Sequence, residues 1–88
     1  MDFSEAFQLL LDGCRVRRRE WKGRWVVLQR GYPEGIPVNA QTAQVIGEEP
    51  GAVRRFRQYL LTEHADGTLG PWDVGQEDIL ATDWEPHE

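Results

Sequence analysis

Apolar positions open the chain at helical spacing. Phe3, Ala6, Phe7 and Leu10 or Leu11 share a face, Asp2 or Ser4 can serve as N-cap, and Gly13 ends the run. From Cys14 to Glu20 the period becomes two. Cys14, Val16 and Arg18 alternate with Arg15, Arg17 and Arg19, which predicts a strand with one wholly cationic face, continued by Trp21. Lys22-Gly23 reads as a short turn and residues 24–29 as a β-branched and aromatic second strand, giving a hairpin. Gly31 to Pro37 holds two prolines and two glycines and predicts an ordered surface loop without regular structure. Asn39 caps a short helix over residues 40–46, closed by Gly47, and a turn follows over 48–51. Val53 to Thr62 reads as the longest strand, and Asp66-Gly67 is a hairpin turn that sends residues 68–72 back along it. Asp73 with Gln76 predicts a capping box for an acidic helix through Ala81, and Asp83 to Glu85 a last short strand. The order predicts a small single α+β domain over residues 1–88, with an antiparallel sheet built from hairpins and two or three short helices.

Length adds one constraint. A chain of 88 residues buries only about 60–65% of its unfolded surface. It nevertheless carries four Trp, two Tyr and three Phe, so part of this aromatic surface is expected to face a partner or ligand, and a homo-oligomer is predicted. The single cysteine, Cys14, excludes an internal disulfide and is read as a buried small hydrophobe. His64 and His87 are read as surface residues, with no zinc-ligand spacing between them. The acidic start and the lack of a long apolar run predict a soluble protein of a reducing cytoplasm.

Net charge is −5, yet the positive charge is segregated. Arg15, Arg17, Arg18, Arg19, Lys22, Arg24 and Arg30 form one block with Glu20 as its lone acid, Arg54, Arg55 and Arg57 form a second, and residues 63–88 carry acids with no Lys or Arg. Two readings stand side by side. The arginines pair with the acidic C-terminal part, within or between chains, or some of them form a recess for phosphate, which guanidinium forks suit. A long nucleic acid is disfavoured by the overall negative charge.

Catalysis finds no support. No Ser-His-Asp, Cys-His or metal constellation is readable, no phosphate-binding loop follows a strand, and adjacent Glu77 and Asp78 would point apart on a helix. Trp25 and Trp84 sit in apolar strand patterns and are assigned to the core. Trp21 beside Arg19, and Trp72 after Gly70-Pro71, either close the rims of the sheet or stack on a base, a contact that contributes about 1–3 kcal/mol.

Several blocks stand along the chain in a fixed order: Phe3 with Ala6, Arg18 to Gly23, Tyr32 to Ile36, Phe56 to Leu60, Ala65 to Gly67, Pro71-Trp72, and Gln76 to Trp84. In this order the chain resembles the second Thoeris anti-defence family of bacteriophages over nearly its whole length. Lys22 stands where that family usually has Asn, and Val74-Gly75 where Ala-Ser is usual. The resemblance implies a non-enzymatic sponge, without cofactor, that assembles as a homotetramer in the host cytoplasm. It would sequester cyclic ADP-ribose isomers or the cyclic oligonucleotides of CBASS defence in pockets between subunits. The cationic face of the first strand, the turn that exposes Trp21 and the matching family block together predict ligand contacts from Trp21, Arg18, Arg19, Lys22, Arg57, Trp72, Gln76 and Asp78, with Trp21 on the base, Arg18 or Arg19 and Arg57 of a second chain on the phosphates, and Gln76 and Asp78 on base or ribose. The alternative is an acidic protein-binding module that masks a host protein through Trp21, Trp72 and the acidic helix.

Overall fold

The computed structural model describes residues 1–88. Its elements are α1 (Phe3–Leu11), β1 (Val16–Arg18), β2 (Val26–Gln29), β3 (Tyr32–Pro37), α2 (Ala40–Ile46), β4 (Val53–Phe56), β5 (Tyr59–Glu63), β6 (Leu69–Pro71), α3 (Gln76–Ile79) and β7 (Trp84–Pro86). The class is α+β, with three helices and two antiparallel sheets: five strands in the order β6-β5-β2-β1-β7, and a two-stranded ribbon of β3 and β4.

Local chemistry accounts for the ends of the helices. Asp2 caps α1 and forms a reciprocal capping box with Glu5. Asn39 Oδ1 accepts from Thr42 N at the start of α2, and Gly47 closes that helix in the left-handed conformation at φ 76°. Asp66 accepts from both the backbone and the hydroxyl of Thr68, holding the β5–β6 turn.

The core lies between α1 and one face of the large sheet. Ala6 and Leu10 of the helix meet Val16, Val26, Trp72 and Trp84, with Phe3, Leu9, Trp21, Leu28 and Leu60 packed around them. Strand register explains the membership: Val16 pairs with Val26 and Val26 with Thr62, so these share a face, whereas Val27, Leu61, Tyr59 and Pro71 alternate to the opposite one. α1 is the helix that packs on the sheet, and it covers the first face.

Four segments depart from the pattern. The cationic strand is shorter than residues 14–20, because the chain turns at Arg19-Glu20; Trp21 therefore leaves the strand, and the connection to β2 spans residues 19–25. Residues 32–37 are not an irregular loop. They form β3 on a ribbon edge, where a register shift between Tyr32 and Ile36 accommodates Pro33 and Gly35, the latter at φ 96°. Residues 53–62 are not one strand, since the chain breaks at Arg57-Gln58 and passes from the ribbon into the large sheet. Gly31 sits at this crossing, at φ 69°, so near the Phe56 and Arg57 carbonyls that a Cβ would lie 2.5–2.7 Å from them. Finally, α3 is capped at Gly75, whose N–H donates to Asp78 Oδ2 at 3.2 Å, so the Asp73–Gln76 box is replaced.

Two side chains also differ from expectation. Cys14 is exposed, because the strand begins beyond it. Trp25 lies outside the core cluster and is only half-buried, with the Arg15 guanidinium 5.5 Å from its ring centre. Trp84 is core as expected.

Candidate functional site

The aromatic residues are organised by β7. Trp84 is 1% exposed and its indole N–H donates to the Asp78 carbonyl at 2.8 Å. Trp72, at the end of β6, is almost as deeply buried, and its ring meets Trp84 edge to face at 5.8 Å. Trp72 is thus a core residue, unavailable in this arrangement either to stack on a base or to face a host protein. Trp21 folds back onto both, with ring centres 5.2 Å from Trp84 and 6.0 Å from Trp72 at interplanar angles of 80° and 75°. Such edge-to-face contacts favour the aromatic quadrupoles. They fix the Trp21 plane and leave the residue half-buried rather than fully exposed.

The outer side of this tryptophan forms a recess of about 400 Å³ lined by Trp21, Lys22, Gly23, Arg24, Glu63, His64, Ala65 and Gly67. The Arg24 guanidinium lies 4.8 Å from the Trp21 ring centre, a cation–π arrangement. Lys22 is exposed and has no ion pair. The β2–β5 register, with Val26 opposite Thr62, places Arg24 across from His64.

The arginines of β1 have a different fate. Arg18 shares the face of Val16 and Trp84, where its guanidinium lies 2.9 Å from Asp83, 3.1 Å from Asp78 and 2.9 Å from Glu20. The side-chain bond to Asp83 raises the Arg18 pKa above its ordinary value despite the opposing effect of burial. The reciprocal bond holds the Asp83 carboxyl below the usual carboxylate range. Arg17 bonds Glu85 at 2.7 Å and Arg19 approaches the same carboxylate at 3.7 Å. The pairing of β1 arginines with the acidic C-terminal segment is therefore met within one chain.

The residues singled out from sequence are consequently dispersed. Trp21 and Lys22 line one recess. Arg18 and Asp78 are consumed by each other, Trp72 is in the core, Gln76 is exposed at the first turn of α3, and Arg19 is largely exposed beside Glu85. Arg57 belongs to a second recess, of about 810 Å³, with Arg30, Pro33, Arg54, Arg55, Phe56 and Gln58. Arg24 and His64 were missed, and only the β2–β5 register could have revealed them.

No group of three or more His, Cys, Asp or Glu is placed to hold a metal ion, and no helix is long and apolar enough to cross a membrane. The sequence profile of the Tad2-like domain, described as Thoeris anti-defense 2-like, matches residues 1–86. The chain belongs to the Thoeris anti-defense 2-like family. Membership points to a role in phage anti-defence and is consistent with the binding of a small signalling molecule. Against curated proteins this Tad2-like chain has no match.

Proposed function

We propose that this protein sequesters a nucleotide-derived immune signal, a cyclic ADP-ribose isomer or a CBASS cyclic oligonucleotide, without chemical turnover. The observation that carries the reading is the Trp21 shelf: an indole held edge-on by Trp72 and Trp84, with a guanidinium on its outer side and an ammonium beside it. A purine competes for the ring surface occupied by Arg24. Stacking contributes about 1–3 kcal/mol per base, and a displaced guanidinium is free to make charge-assisted bonds to the phosphates. Arg24 and Lys22 of the same chain thus take the phosphate role in place of Arg18, whose charge is already balanced.

Assembly into a homo-oligomer is part of the same proposal. The sheet face opposite α1 carries Val27, Leu61, Tyr59 and the exposed Leu69, and Val53, Phe56, Ile79 and Leu80 are exposed elsewhere. An isolated two-stranded ribbon such as β3–β4 is marginal in water. Packing of copies against these surfaces would enclose the open recess and reduce the apolar area in contact with water.

The test is calorimetric titration of cyclic ADP-ribose isomers and cyclic dinucleotides into the wild type, Lys22→Ala and Arg24→Ala. Saturable binding of one ligand, weakened about tenfold or more in both variants at unchanged melting temperature, supports the proposal. Flat titrations for every ligand, or affinities equal to wild type in both variants, refute it.

A further inference from the structure

The second recess has no part in that reading and shares no residue with the Trp21 recess. It opens where the ribbon joins the large sheet, and four arginines reach it: Arg30 from the end of β2, and Arg54, Arg55 and Arg57 from β4 and the break after it. No carboxylate lines it. Arg54 pairs with Glu48, but Arg30, Arg55 and Arg57 have no acidic partner, in contrast to every arginine of β1.

Clustered guanidinia repel one another, so an uncompensated set in a chain of net charge −5 is a local charge imbalance that an anion relieves. Its geometry is partly set in advance. Arg30 is tied down by donating to the Leu11 carbonyl at 2.8 Å. The close approach of Gly31 to the Phe56 and Arg57 carbonyls fixes the backbone from which Arg57 projects. The Phe56 ring, edge to face with Tyr32 at 6.3 Å, and Pro33 supply apolar walls, and Gln58 adds an amide. A volume of about 810 Å³ exceeds what one phosphate needs.

We propose that this recess is a binding site for a compact oligophosphate, two or more linked phosphates bridged by Arg30, Arg55 and Arg57. Forked guanidinia match adjacent phosphate oxygens in pairs, where a lysine would offer a point charge. The linked phosphates come either from inorganic polyphosphate or from the phosphate arm of a nucleotide. A long nucleic acid is disfavoured because the acidic C-terminal segment repels any strand extending beyond the recess.

The experiment is titration of inorganic tripolyphosphate, ATP, orthophosphate and a single-stranded DNA 20-mer into the full chain at two salt concentrations. The proteins are the wild type, the double variant Arg55→Gln/Arg57→Gln, and Arg24→Gln. Tripolyphosphate should bind the wild type saturably and bind the double variant at least tenfold more weakly. Arg24→Gln should leave this affinity unchanged, which separates the site from the Trp21 recess and makes it stand or fall independently of signal capture there. Equal affinities for tripolyphosphate and ATP identify the phosphates alone as the determinant, and ATP binding that is tighter, weakened in the double variant and retained in Arg24→Gln identifies a nucleotide source, both within the proposal. Four results overturn it: no tripolyphosphate binding at millimolar concentration, equal affinity in the double variant with the fold intact, orthophosphate as tight as tripolyphosphate, or DNA tighter than either.

Discussion

Replacing Trp84 by Ala tests the packing on which the aromatic shelf depends. Trp84 is 1% exposed, its ring is 5.2–5.8 Å from those of Trp21, Phe3 and Trp72, and its N–H is satisfied by the Asp78 carbonyl. Truncating a buried Trp costs about 3–5 kcal/mol, and losing the hydrogen bond adds about 0.5–1.5 kcal/mol. Because the contributions overlap, the expected total is about 4–6 kcal/mol. A domain of this length has only about 4–13 kcal/mol to lose, so Trp84→Ala should be largely unfolded or melt at least about 15 °C lower. Trp84→Phe retains a ring and loses the N–H, and should cost about 1–2 kcal/mol, or roughly 4–16 °C. Scanning calorimetry with near-ultraviolet circular dichroism measures both. A cooperative Trp84→Ala melt within about 5 °C of wild type would refute the core assignment and with it the rigidity ascribed to Trp21.

Trp21→Ala should lower both affinity and melting temperature, since Trp21 packs on Trp72 and Trp84; a binding loss with no thermal shift would contradict that packing. The Arg18–Asp83 bond has a pH signature. With the Asp83 carboxyl held below its ordinary 3.8 by Arg18, its contribution is complete above that value and is lost as pH falls through the lower folded value. The stability gap between wild type and Arg18→Gln should therefore hold constant above about pH 5 and narrow below about pH 4 in denaturant titrations; a gap that persists to pH 2 would contradict it. Gly31→Ala should destabilise the protein more than Gly47→Ala. Both positions have positive φ, but a Cβ at Gly31 meets backbone at 2.5 Å whereas one at Gly47 meets nothing within 4 Å, so thermal melts should rank them in that order. Light scattering at micromolar concentration should return a mass several times 10.2 kDa, and a monomer would remove the oligomer from the proposal.

What was legible in the sequence was what local chemistry decides. Asn39 and Gly47 bracket α2, Asp66-Gly67 makes the β5–β6 turn, and the Asp83-Trp84-Glu85 pattern does become an edge strand paired with β1. The break at Arg57-Gln58 was not legible, since no Gly or Pro marks it; it depends on Gly31 crossing from 26 residues earlier in the chain. Gly31 to Pro37 misled for the converse reason, because its breakers mark a bulge on an edge strand that can form only when β4 lies beside it. At the site, the turn containing Trp21 and Lys22 was visible, but the direction of Trp21 is set by Trp72 and Trp84, more than 50 residues away. Charge segregation was readable as a fact, while the choice between pairing and ligand binding required the β1–β7 register. That register gives Arg17 and Arg18 their acids and leaves Arg30, Arg55 and Arg57 without any.

Signal capture is tested most directly by exposing the purified protein to lysate from cells with activated TIR or CBASS defence, washing it, and releasing bound small molecules by heat for mass spectrometry. An intact nucleotide-derived signal should be recovered in stoichiometric amount, should be recovered in smaller amount from Arg24→Ala, and should reactivate the defence effector. Release of no such molecule, or of a hydrolysed or ring-opened product whose yield grows with time, would contradict sequestration without turnover.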